Sequence, residues 1–155
     1  MRNMRQALVC TLLMLTSVTS SAGAINTQPL SFGRIVLSHN ASVGSYTIDY
    51  LGNISTTNHF RIIEAGSPAE FLLFDYPPNS QVFITPTVIQ AETNSAPFSA
   101  EQFTLANLTS PGSVFIRTDG TSEINVGGTL RTSGSGSMNY SDADYTINLQ
   151  VSFNF

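Results

Sequence analysis

The last eleven residues, 145–155, alternate without a break. Tyr145, Ile147, Leu149, Val151, Phe153 and Phe155 are apolar, while Thr146, Asn148, Gln150, Ser152 and Asn154 are polar. Successive side chains of a strand point to opposite faces, so this pattern predicts one β-strand with a dry side and a wet side. A helix would spread the same residues around its whole circumference. The C-terminal stretch therefore reads as a structural element rather than a tail.

Upstream, the same kind of pattern recurs in short runs between turn clusters. Strands are expected at 30–37, 44–51, 59–64, 69–75, 81–90, 98–108, 113–118 and 123–132, in addition to 145–155. Their spacing, roughly 8–12 residues, is that of a sandwich or a barrel. Phe71-Leu72-Leu73-Phe74 is continuously apolar and reads as a strand covered on both faces; Tyr76-Pro77-Pro78-Asn79 ends it. Pro86 marks an edge or a bend in its run, because proline cannot donate to a ladder. Asp119-Gly120 is a hairpin-type dipeptide. Gly127 and Gly128 sit inside a strand pattern and imply a tight turn or a close backbone approach. Ser133-Gly134-Ser135-Gly136-Ser137 has the composition of a flexible loop. No helical stripe, linker or repeat interrupts this order. The expected fold is all-β: one two-layer antiparallel sandwich.

The N-terminus reads as an export signal. Arg2 and Arg5 precede an apolar run at 7–15, and Ala22-Gly23-Ala24 matches a peptidase site, so cleavage is expected after Ala24. The apolar run is about half the ~20 residues a transmembrane helix needs. The expected organisation is thus a signal peptide at 1–24 and one β-sandwich domain at 25–155, delivered to the periplasm, the cell surface or the medium. Cys10 is the only cysteine and falls inside the signal. The exported chain then has no disulfide to form and depends on burial and sheet hydrogen bonds.

Charge excludes whole classes of partner. The chain has no lysine; without Arg2 and Arg5, four arginines face ten acids, a net charge of −6. Such a chain lacks the basic footprint that nucleic acid requires, and anionic membrane surfaces are disfavoured for the same reason. The solvent-facing residues are mostly Ser, Thr, Asn and Gly.

Leu30-Ser31-Phe32-Gly33, Val126-Gly127-Gly128-Thr129-Leu130 and Tyr140 followed by the closing strand resemble, in order and placement, the bacterial secreted family called domain of unknown function 4402. The resemblance covers essentially the whole exported chain. It implies an immunoglobulin-like sandwich similar to chaperone–usher pilins and spore-coat-U proteins, located in the cell envelope and without enzymatic activity. The family pattern has a Gly between the tyrosine and the last strand; here the residues are Ser141-Asp142-Ala143-Asp144.

A pilin-like chain would self-associate by strand exchange through its edges. Only residues 25–29 separate the expected cut from Leu30, so 30–37 would serve either as a donor or as the domain's own first strand, since a donor arm needs ~10–15 residues at about 3.3 Å each. The alternating C-terminus ending in Phe155 also fits an outer-membrane barrel, but the unbroken apolar run at 71–74 and Pro86 disagree with barrel strands. A monomeric ligand-binding module is the remaining alternative.

Catalytic and metal constellations are weak. His39 and His59 are the only histidines. Ser135 between two glycines is not on a strand-to-helix elbow. The histidines lack zinc spacing. Asp142 with Asp144 and Asp119 with Glu123 could attract a hard cation, but read as solvated turn acids. Gly127-Gly128 lacks the following lysine and helix of a phosphate loop. Asn40, Asn53, Asn107 and Asn139 each open a glycosylation sequon. No catalytic, cofactor or metal residue is assigned, and no small-molecule substrate is implied.

Overall fold

A computed structural model describes residues 21–57, 59–94 and 101–155. The n- and h-regions of the expected leader, Cys10 and Phe98 lie outside the described residues. The described residues form eleven strands: β1 Gly23–Gln28, β2 Arg34–Leu37, β3 Ser45–Ile48, β4 Ile54–Thr56, β5 Phe60–Glu64, β6 Ala69–Phe74, β7 Gln81–Val88, β8 Thr104–Thr109, β9 Ser113–Phe115, β10 Ser122–Arg131 and β11 Leu149–Asn154. Every pairing is antiparallel. One layer is a sheet in the order β1-β6-β10-β3-β4, with β8 also paired to β10; the other layer comprises the sheets β11-β7-β9 and β2-β5. The all-β sandwich expected from the alternation is what forms. The sheets stay open, so the barrel alternative is corrected: among the described residues no ladder closes a ring.

Two apolar clusters fill the space between the layers. Leu73, Val82, Ile84, Ile116, Ile124 and Val126 are buried in the first, with Phe71, Val151 and Phe153 packed against them. Tyr46, Ile48, Phe60, Phe103 and Leu130 form the second, with Phe32, Tyr140 and Tyr145 against them. Each buried aliphatic or aromatic side chain contributes ~1.5–3 kcal/mol relative to exposure, and residues 25–155 contain no cysteine that could add a cross-link.

Strand β10 joins the two clusters. Residues 122–126 pair with β6, and from Gly128 the strand lies between β3 and β8. The change of partner falls at Gly127 and Gly128. A Cβ on Gly127 would lie 2.2 Å from the Ile48 carbonyl oxygen and 2.5 Å from the Asp49 carbonyl carbon. This is the close backbone approach expected of the pair.

Several boundaries differ from the sequence pattern. The stretch at 145–155 alternates along its length, but its ladder covers only Leu149–Asn154. The partner strand β7 ends at Val88, opposite Leu149, and pairing resumes only as an isolated bridge between Asn94 and Thr146. Of 30–37, only Arg34–Leu37 is strand. A strand also precedes it: β1 begins at Gly23, two residues before the expected cut, and pairs with β6 from Gly23↔Phe74 to Gln28↔Glu70. Alternation missed β1 because four of its six side chains are exposed and it has no dry face to read. The Asp119-Gly120 turn closes through Gly120 N–H to the Arg117 carbonyl at 3.0 Å. It is not a hairpin, however: it carries the chain from β9 in one layer to β10 in the other.

Candidate functional site

The first described strand borders a groove between the layers. β1 is the end strand of its sheet, and β11 is the end strand of the opposing one. Between them lies a groove of about 340 Å³, lined by Asn26, Pro29 and Leu30 on one side and by Ile147, Leu149 and Val151 on the other, with Ala69 and Phe71 at its base. Exposed sheet edges are usually protected by charge or proline. β1 reads Gly-Ala-Ile-Asn-Thr-Gln and β11 reads Leu-Gln-Val-Ser-Phe-Asn, with neither device. Gly23 lets the Phe74 ring cross beneath β1, since a Cβ there would meet the ring at 2.5 Å.

The other polar residues singled out in the sequence assemble differently. His39 and His59 come together, their rings stacked with centroids 4.2 Å apart and planes 17° apart. Their ring nitrogens go to hydroxyls: His39 Nδ1 to Ser38 at 3.0 Å, His59 Nε2 to Ser42 at 3.0 Å and His59 Nδ1 to Thr57 at 3.0 Å. The sequence carries no signal for this pairing, because twenty residues separate the two rings. Ser135 instead bonds Glu101 and the amide nitrogen of Asn40.

The Ser-Gly loop is not a loose tether. It closes around Asn40, which is buried. The Asn40 Nδ2 amide donates towards Glu101 Oε2 at 2.9 Å, Ser133 Oγ at 2.9 Å and the Ser137 carbonyl at 2.8 Å, and its Oδ1 accepts from Gly134 N–H at 2.9 Å. Gly134 and Gly136 take φ values of +69° and +84°, which glycine adopts without strain. The glycines that suggested flexibility are thus the residues that let the loop turn tightly around one amide. The same burial removes Asn40 from use as a sequon in the folded chain, whereas Asn53, Asn107 and Asn139 are exposed.

Of the acid pairs, Asp119 caps its own turn. Its Oδ1 accepts from the Thr121 hydroxyl at 2.8 Å and from Thr121 N–H at 2.9 Å. The Thr121 hydroxyl, then its N–H and the nearby Arg117 charge, hold the carboxyl below its ordinary value. Asp49 does the same for the turn after β3, held down first by the Asn53 side-chain amide and further by the Asn53 and Leu51 N–H groups. A lowered folded value means stability that is present above the unfolded pKa, ~3.9, and lost as pH falls through the folded value. Melting temperature is therefore expected to lose this contribution below about pH 4. The double variant Asp49→Asn/Asp119→Asn should show a shallower acid limb in a series of melts. Among the described residues no group of three or more His, Cys, Asp or Glu side chains is placed to hold a metal ion, and no helix is long and apolar enough to cross a membrane.

The motifs that carry the family resemblance meet in space. Leu30 reaches Gly128, where an added Cβ would lie 3.1 Å from the leucine Cδ2. Phe32 packs on Tyr46 with centroids 5.6 Å apart, and Tyr140 stacks on Phe103 at 4.5 Å. A family model described as domain of unknown function (DUF4402) matches residues 23–155. The chain belongs to the DUF4402 family. No curated protein and no solved structure matches it. The DUF4402 match starts at Gly23, where β1 starts. The glycine missing before the last strand is not needed, since no residue at 141–144 has a positive φ. The Tyr145 hydroxyl holds that turn instead, accepting from Ser141 N–H at 3.0 Å and donating to the Ser141 carbonyl at 3.1 Å.

Proposed function

We propose that this chain is an exported, non-enzymatic structural or adhesive subunit of the bacterial envelope or surface, and that copies associate by strand exchange at β1 and β11. The observation that carries the reading is the pair of uncharged edges bordering one open groove. Main-chain hydrogen bonds supply affinity in such an exchange, and alternate side chains seated in pockets supply register. The weak hold of β1 favours it. Cleavage after Ala24 would remove the Gly23↔Phe74 and Ala24↔Leu73 pairs, leaving only Ile25, Asn26 and Gln28 in register with β6. A non-enzymatic role is favoured because Ser135 is engaged with Glu101 and Asn40, while the bonded histidine nitrogens go to other hydroxyls.

The test is light scattering and melting of the exported chain, with and without a synthetic peptide copying residues 25–37. Laddered oligomers, or a melting temperature raised by the peptide, are the expected results. A monomer at all concentrations whose melting ignores the peptide would remove strand exchange from consideration.

A further inference from the structure

We propose that the outer face of the β11-β7-β9 sheet is a binding platform for a neutral polysaccharide. Val82 and Ile84 point into the core and are buried, so the alternate residues of β7 point out. On this outer face Phe115 stands opposite Gln81, and Phe83 stands opposite Ser113 on one side and Asn154 on the other. Phe83 is 54% exposed and Phe115 66% exposed. Neither ring has an aromatic partner among the described residues. Two bare rings on the wet side of a strand are costly to leave in water, and exposed apolar groups surrounded by polar ones mark recognition surfaces.

The surroundings identify the ligand chemistry. Gln81 donates to Ser113 Oγ at 2.9 Å across the same face, leaving its carbonyl free to accept. The remaining outward positions of the three strands are threonine, serine and glutamine, so the strands themselves contribute no formal charge to the face. Flat rings take the C–H face of a sugar ring, and amides and hydroxyls exchange hydrogen bonds with its hydroxyls. A net charge of −6 on the exported chain repels acidic glycans, so the polymer that fits is uncharged. The platform is too small for a stable protein partner. Three strands about 4.8 Å apart and a run of about 20 Å along β7 give roughly 300 Å², against ~800 Å² a side in a stable protein interface. This face lies in the layer opposite β1, and its use does not depend on strand exchange.

The experiment is retention of the exported full-length domain on microcrystalline cellulose, chitin and an insoluble β-glucan, with immobilised heparin as the charged counterpart. Retention on at least one neutral polymer, unaltered between about 0.05 and 0.5 M salt, is expected. The variant Phe83→Ala/Phe115→Ala should lose about tenfold or more in apparent affinity at an unchanged melting temperature, as should Thr85→Glu, which places a charge at the centre of the face. No retention on any neutral polymer, equal retention of the variants, or retention on heparin alone would each overturn the assignment. So would a change in oligomeric state of the double variant, because it would make the face a contact between copies.

Discussion

Gly127→Ala is expected to destabilise the domain by about 3 kcal/mol and to lower its melting temperature by roughly 10 °C. The added methyl would meet backbone on two sides, the Ile48 carbonyl at 2.2 Å and the Asp49 carbonyl carbon at 2.5 Å. Neither can rotate away as a side-chain tip would, so β10 and the end of β3 must separate where the strand changes partners. Gly128→Ala provides the contrast. Its nearest neighbours, the Leu105 and Leu30 methyls at 3.1 Å, are flexible side-chain ends. A cost of about 1 kcal/mol or less is expected there. Thermal melts of the two variants side by side check the assignment. Equal losses would mean that the partner switch is not located at Gly127.

The second large effect is expected at Asn40. Asn40→Asp replaces an amide whose two N–H groups are shared among Glu101, Ser133 and Ser137 by an oxygen that can only accept when ionised. Two carboxylates would then face each other across a part-buried contact. Leaving polar groups without their hydrogen bonds costs about 1–3 kcal/mol, like-charge repulsion adds to it, and a total loss of about 3 kcal/mol is expected at neutral pH. The pH dependence distinguishes this cause from simple loss of packing. Repulsion raises the folded pKa of the carboxyl pair, so its proton is bound more tightly in the folded state. The penalty is full above that raised value and is relieved as pH falls towards the unfolded value, ~3.9. The variant should therefore gain stability between pH 7 and pH 5, relative to the parent. Asn40→Ala, which loses the same hydrogen bonds without adding charge, should show no such gain. Parallel melts of the three proteins at the two pH values decide the point.

The Asn40 site also shows where sequence reading stops. Ser133-Gly134-Ser135-Gly136-Ser137 has the composition of a tether, and composition is all a local reading can use. Its order comes from one amide 93 or more positions away in the chain, together with Glu101. The His39 and His59 stack is invisible for the same reason, and so is β1, whose ladder with β6 joins residues more than forty positions apart. The platform formed by Phe83 and Phe115 was half legible. Alternation in 81–90 places Phe83 among polar neighbours, but only the β7-β9 register brings Phe115 beside it.

Alternation, turn residues and the absence of any helical period were enough to establish strands, their rough order and two apolar layers. Each of these follows from the geometry of a residue and its near neighbours. Which strand pairs with which, where β10 leaves β6 for β3 and β8, and which polar side chains close the Ser-Gly loop were decided only by the tertiary structure. Those choices depend on backbone hydrogen bonds and steric clearance between segments far apart in the chain, and no local pattern of side chains encodes them.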